Sequence, residues 1–310
     1  MKKSTAFLTV LVLISISIIG LIVIYGKEEN TTSDQIKIGA TIFPLYDIAR
    51  NIAGDKIEVV NILPPGASPH TFEITPEKVK ELQNTKVVFA IGQGLDDWMN
   101  DLTNSLTGIE IVMVSNNIAL RKFSDEQGHD SEEQEGNHDE HGEYDPHYWL
   151  SINNAKIIAQ NIANRLEILD PLNSSSYQKN LEDYQEKLDI LKEESENKIR
   201  NLTNTALVTA HDAWSYFAEE LNLKIVGSFQ PSPGKEPTPQ ELSALQALIA
   251  EYKVKALFSE PQLSENVVKP FADDTGLEIF VLDPLGGVED RQSYIDLIKY
   301  NVNTIYEALK

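Results

Sequence analysis

Four side chains in this 310-residue sequence stand where proteins commonly hold metal ions. His70 follows a proline-rich loop, and His147 lies in the sequence Asp-Pro-His-Tyr-Trp-Leu. His211 ends an apolar run, and Asp283 directly follows another. Three imidazoles with one carboxylate suit a divalent ion that prefers tetrahedral coordination. These residue types predict a metal site, with zinc as the first candidate.

The composition restricts the kinds of ligand and partner. The sequence has no cysteine, so disulfides, thiolate metal sites, a cysteine nucleophile and lipid attachment to an N-terminal cysteine are excluded. Asp and Glu outnumber Lys and Arg by 48 to 26, and the formal net charge is −22. A surface of that sign repels phosphate backbones and attracts cations. We therefore expect no nucleic-acid partner.

Short apolar runs alternate with amphipathic segments along most of the chain. This alternation predicts βαβ units, and the continuous apolar character of the runs indicates strands of buried parallel sheets. Because the pattern occurs twice, the sequence predicts an α/β fold with two parallel-sheet lobes. We assign residues 36–170 to the N-terminal lobe and 205–310 to the C-terminal lobe.

A single long helix is predicted between the lobes, over residues 174–200. Its apolar side chains recur at helical spacing, and the stretch from Ser174 to Ile199 contains neither Gly nor Pro. Two lobes joined by one stiff helix leave a cleft between the carboxyl ends of their sheets, where ligands of open α/β sheets bind. This architecture brings the candidate ligands from both lobes to one cleft.

Residues 1–26 are interpreted as a targeting segment. Lys2 and Lys3 precede an uncharged, mainly apolar run over residues 6–25, and no Ala-x-Ala cleavage pattern follows it. A secretory signal has an apolar core of about 7–15 residues, whereas a spanning helix needs about 20. The length favours an uncleaved signal-anchor, and the two lysines place the rest of the chain on the extracytoplasmic side of the cell membrane. Cleavage would instead give a secreted or periplasmic protein.

Several motifs resemble, in order along the chain, the substrate-binding proteins of zinc and manganese ABC transporters, the cluster A-I family. The resemblance runs from Ile36 to Leu309. Its most specific pieces are Pro65-Gly-Ala-Ser-Pro-His-Thr-Phe-Glu, Asp145-Pro-His-Tyr-Trp-Leu, His211-Asp-Ala-Trp-Ser-Tyr-Phe, Phe258-Ser-Glu-Pro-Gln and Leu282-Asp-Pro-Leu-Gly.

The resemblance implies a two-lobed fold with a rigid backbone helix and a metal ion held by His70, His147, His211 and Asp283. Manganese-type members usually have Glu, a harder ligand, at the position of His211. His211 therefore favours zinc, with manganese or iron as the alternative. Glu260 matches the Glu-Pro position of the family and is an alternative fourth ligand or a hydrogen-bond acceptor behind the ligands.

An acidic stretch without apolar pattern occupies residues 124–145. It carries His129, His138 and His141 among many Asp and Glu residues, and its composition predicts disorder because it cannot bury a core. Zinc-type members of the family carry His- and acid-rich loops at this place. The stretch is therefore interpreted as a low-affinity metal collector, with a solvated insertion as the alternative.

The sequence thus predicts a monomeric, extracytoplasmic, high-affinity receptor for a divalent metal, which delivers the ion to the membrane permease of an ABC transporter and is not an enzyme. A zinc-dependent hydrolase with Glu260 as general base is an alternative of another class, although no His-Glu-x-x-His pattern occurs. A surface adhesin on the same scaffold is a third hypothesis.

Overall fold

The computed structural model of the chain describes residues 35–122, 143–230 and 236–310. The predicted signal-anchor and residues 124–142 of the acidic stretch, which include His129, His138 and His141, lie outside these residues. Within the part of the chain that is described, no helix combines the length and apolarity needed to cross a membrane.

The first sheet is parallel, with the strand order β2-β1-β3-β4. Its strands are β1 (Lys37–Ala40), β2 (Glu58–Asn61), β3 (Thr85–Ala90) and β4 (Glu110–Met113). The helices of this half are α1 (Phe43–Ala53), α2 (Pro76–Glu81), α3 (Met99–Ser105) and α4 (Ile152–Leu169). Ile38 of β1 pairs with Val59 on one side and Val87 on the other, so the apolar runs meet in register at the sheet centre.

The second sheet repeats this arrangement with the order β6-β5-β7-β8, and all its pairs are parallel. Its strands are β5 (Ala206–His211), β6 (Lys224–Gln230), β7 (Ala256–Ser259) and β8 (Glu278–Val281). Its helices are α6 (Ser215–Glu220), α7 (Pro239–Tyr252), α8 (Glu265–Thr275) and α9 (Tyr294–Leu309), and the long helix α5 (Ser174–Ile199) stands between the halves. The predicted fold of two parallel α/β lobes with a long helix is confirmed.

Helix α5 is held by one apolar stripe. Tyr177, Leu181, Tyr184, Leu188 and Leu191 are buried along it, while the charged residues face outward. The stripe packs against α1 and α4 of the first half and against α9. Because the packing partners come from both ends of the sequence, α5 packs along its length against helices of both halves.

The last helix returns to the first half of the molecule. Helix α9 packs against α5 and α1, with Leu297, Ile298 and Ile305 fully buried. At its amino end the backbone N–H of Tyr294 donates a hydrogen bond to Asp47 Oδ2 on α1 (2.9 Å). The two halves are therefore joined by α9 as well as by α5.

Candidate metal centre

Three separate elements bring the histidines together. His70 lies in the loop that follows β2, His147 directly precedes a short 3-10 turn (Tyr148–Leu150), and His211 is the last residue of β5. The Nε2 atom of His147 lies 3.4 Å from Nε2 of His70 and 3.4 Å from Nε2 of His211. One ring nitrogen from each of the three lies within 4.8 Å of the others. This spacing suits three ligands of one ion.

Two of the rings have a carboxylate behind them. Asp145 Oδ1 lies 2.8 Å from Nδ1 of His147, and Glu260 Oε2 lies 2.8 Å from Nδ1 of His211. A carboxylate at Nδ1 fixes the proton on that nitrogen, so each neutral ring presents the lone pair of Nε2 to the centre. Lone pairs that converge in this way repel one another unless a cation lies between them.

Glu260 is an acceptor behind His211 in this arrangement. Its second oxygen, Oε1, accepts a hydrogen bond from Trp214 Nε1 (2.9 Å), and its side chain is buried. Both oxygens therefore have partners in the protein. This is the role of hydrogen-bond acceptor behind the ligands that the sequence offers as one alternative for Glu260.

The charges around the site favour a bound cation. Burial lowers the pKa of His211, but the charge and hydrogen bond of Glu260, together with the charges of Asp212 and Asp145, outweigh it and raise that pKa above its ordinary value. Burial raises the pKa of Asp145 to about 7, against the lowering effect of the hydrogen bond from the backbone of His147. A divalent ion displaces the proton from the ligand ring of His211, and its charge favours the ionised form of Asp145.

The histidines line a cavity of about 180 Å³ that is partly open to solvent. Its wall includes Gln230, Gln262 and Leu285. Gln262 Oε1 is buried and has no hydrogen-bond partner among the residues that the structure describes. Since liquid water takes about 30 Å³ per molecule, the cavity has room for an ion and a few water molecules.

Asp283 does not lie in the group of three histidines. Its Oδ1 accepts hydrogen bonds from the backbone N–H groups of Leu285 (2.9 Å) and Gly286 (3.0 Å), and its Oδ2 lies 3.1 Å from Nε of Arg291. The following residues Pro284 and Leu285 do line the cavity. Asp283 is thus beside the centre, with its carboxylate bound to its own turn.

The residue that sequence reasoning left without a role is Asp145. It belongs to the quoted Asp-Pro-His motif, and a carboxylate two residues before a ligand histidine is a signal that could have identified it. Trp149 and Trp214 lie beside the site, but both side chains are buried in the core.

Comparisons with known proteins identify relatives that match nearly the whole chain. The family model of ZnuA, zinc-uptake complex component A, periplasmic, matches residues 38–308. The manganese ABC transporter substrate-binding lipoprotein PsaA of Streptococcus mitis is 31% identical over 98% of this chain and 96% of its own length.

Solved structures show the same architecture. The crystal structure of ZnuA is 26% identical, with a TM-score of 0.77 over 89% of this chain and 100% of that one. The laminin-binding protein Lmb of Streptococcus agalactiae, described as a bifunctional protein with adhesin and metal transporting activity, is also 26% identical, with a TM-score of 0.76 over the same shares. From the family match, the full-length relatives and the shared architecture, we conclude that this chain belongs to the ZnuA family, among the substrate-binding proteins of metal ABC transporters.

Proposed function

We propose that this protein binds zinc as its cargo at His70, His147 and His211 and delivers it to the permease of an ABC transporter. The observation that carries the proposal is the convergence of three imidazole nitrogens within 4.8 Å. Nitrogen donors suit zinc, whereas manganese is better matched by carboxylate and water oxygens. The name of the PsaA relative mentions manganese, so the donor set of this chain supplies the argument for zinc.

Asp283 is the proposed fourth ligand, as the family resemblance implies. In the described arrangement its Oδ2 faces Arg291, so the carboxylate must exchange that guanidinium for the ion. Its Oδ1 can keep the two backbone hydrogen bonds during this exchange, because only one oxygen is needed for a monodentate ligand.

Metal selectivity is the direct test. We expect the purified protein, loaded from an equimolar mixture of zinc and manganese, to retain one zinc ion after dialysis. Both the Irving–Williams order and the imidazole donors favour zinc over manganese. Elemental analysis measures the bound metal, and competition titration gives the affinity ratio. Preferential retention of manganese would contradict the zinc assignment but leave the metal-receptor role intact.

The N-terminal segment, outside the described residues, supplies the membrane tether in this proposal. The PsaA relative is named a lipoprotein, whereas this sequence contains no cysteine for lipid attachment. The apolar run over residues 6–25 has about the length of a membrane-spanning helix. We therefore propose an uncleaved signal-anchor in place of a lipid.

Deletion of the acidic stretch should spare the tight site. The stretch joins two segments that are already close: Lys122 pairs with Tyr144 in an antiparallel bridge, and Asp145 N–H donates to Arg121 O (2.8 Å). Replacing residues 124–142 by a short Gly-Ser linker should therefore keep the fold. We expect one tightly bound zinc ion to remain and weaker additional ions to be lost, because the three converging histidines lie elsewhere.

Calorimetric titration of the deletion variant and the parent measures both classes of site. Loss of the tight site would mean that His129, His138 or His141 is a primary ligand. Unchanged stoichiometry at high zinc concentration would remove the metal-collecting role of the stretch.

A further inference from the structure

The segment 145–153, which carries His147, belongs to the first half by sequence but is held largely by residues of the second half. Its hydrogen bonds to the second half come from two sides. One set involves helix α6, which follows His211, and the other involves helix α9 and the turn before it.

Helix α6 holds both ends of the segment. The hydroxyl of Tyr216 donates to the carbonyl of Asp145 (3.1 Å). Two carboxylate oxygens of Glu220 accept hydrogen bonds from the backbone N–H groups of Ile152 (2.6 Å) and Asn153 (3.0 Å). These N–H groups belong to the first turn of α4, where the helix leaves its donors unsatisfied and a negative charge is favourable. Glu220 therefore caps a helix of the opposite half.

Helix α9 and its preceding turn hold the middle of the segment. The buried hydroxyl of Tyr294 donates to the carbonyls of Trp149 (2.8 Å) and Ser151 (3.3 Å). The indole N–H of Trp149 donates to the carbonyl of Pro284 (2.8 Å). The ring of Trp149 in turn contacts the ring of His147, with 5.3 Å between the ring centroids.

We propose that Tyr294 and Glu220 are positioning residues for His147, which they hold at a fixed distance from His211, so that the two rings form a preformed pair for the ion. The proposal rests on the metal-binding function proposed above. Neither residue reaches the ion; each acts through the backbone of the segment that carries the ligand. A ligand held in place before binding loses less conformational freedom when the ion arrives, which strengthens binding.

The test uses Tyr294→Phe and Glu220→Gln in the full chain, with Tyr306→Phe as the matched control. Tyr306 lies on the same helix as Tyr294, and its ring contacts Lys198 and Lys310 instead of the segment. Zinc affinity is measured by competition titration. Cobalt substitution gives the second measurement, because the visible absorption of Co²⁺ reports the geometry of its ligands.

We expect each positioning variant to bind zinc at least about fivefold more weakly than the parent. This loss is somewhat smaller than the loss of affinity typical when a residue that hydrogen-bonds directly to a metal ligand is replaced. The cobalt spectrum should change in both variants and stay as in the parent for Tyr306→Phe. Circular dichroism of the metal-free proteins establishes that the variants are folded at the temperature used. If Tyr294→Phe does not fold, Glu220→Gln, which keeps one acceptor oxygen, carries the test.

Lower thermal stability with unchanged zinc affinity and an unchanged cobalt spectrum would overturn the inference and leave both residues with a purely structural role. That outcome is distinct from failure of the proposed function, in which the parent itself would bind neither zinc nor cobalt.

Discussion

Zinc affinity is expected to fall at least about tenfold, or about 1.4 kcal/mol, when His147 is replaced by alanine. His147 Nε2 is the central atom of the group, because it lies 3.4 Å from the corresponding nitrogen of both His70 and His211. Its removal takes away one of three nitrogen donors and leaves the buried carboxylate of Asp145 without the ring that it faces. Calorimetric or competition titration measures the loss.

The chain offers a matched control for this substitution. His129→Ala changes the same residue type in the acidic stretch and should leave the tight site unaffected. Asp283→Asn tests the fourth ligand: it keeps an oxygen for the backbone N–H groups of Leu285 and Gly286 but weakens a metal–carboxylate bond. We expect it to lower zinc affinity as well. Unchanged affinity in His147→Ala would remove that residue from the site, and unchanged affinity in Asp283→Asn would contradict the role of Asp283 as the fourth ligand.

Zinc binding should also weaken strongly as the solution becomes acidic. An imidazole binds metal only in its neutral form, and the neutral fraction of an imidazole with a pKa near 6.5 falls about tenfold between pH 7.5 and 5.5. With three rings in the site, we expect a loss of about a hundredfold or more over this range. The protons displaced by zinc should appear in the buffer.

His211 determines the upper part of this pH range. Glu260 raises its pKa, so the proton on this ring competes with zinc at higher pH than for an ordinary histidine. The stability of the metal-free protein depends on pH in the opposite direction from zinc affinity. A raised pKa in the folded state stabilises the fold fully below the ordinary pKa, and this contribution is lost as pH rises through the folded pKa.

Calorimetry in buffers with different ionisation enthalpies measures the proton release directly. Glu260→Gln should shift the pH dependence of zinc affinity toward lower pH, because it removes the charge that stabilises protonated His211. Zinc binding without proton release, or with equal affinity at pH 7.5 and 5.5, would argue against three histidine ligands.

Elements that depend on local pattern could be predicted closely from the sequence. Helix α5 spans Ser174–Ile199, as the apolar spacing and the absence of Gly and Pro indicate. The sequence also predicts a strand over 256–259 and a helix over 43–53, and β7 and α1 have these bounds. In these segments burial, propensity and end signals agree, so no distant contact is needed to define them.

The predicted start of one helix was wrong, because it depends on a contact that the local pattern does not show. The sequence predicts a helix over 95–106, but α3 begins only at Met99. The side chain of Asp96 accepts hydrogen bonds from the backbone N–H groups of Ile91 (2.7 Å) and Gly92 (2.8 Å) and ties the preceding residues into a turn. A buried carboxylate that binds backbone in this way competes with helix formation.

The sequence by itself determined the donor types of the centre, the α/β class and the long helix, because residue chemistry and hydrophobic period are local properties. Only the tertiary structure decided which donors meet. It brought His70, His147 and His211 together, directed Asp283 toward Arg291, and returned helix α9 to the first half. These outcomes depend on contacts between residues far apart in sequence, where the burial of apolar faces and the pairing of charges select one arrangement among many that the local pattern allows.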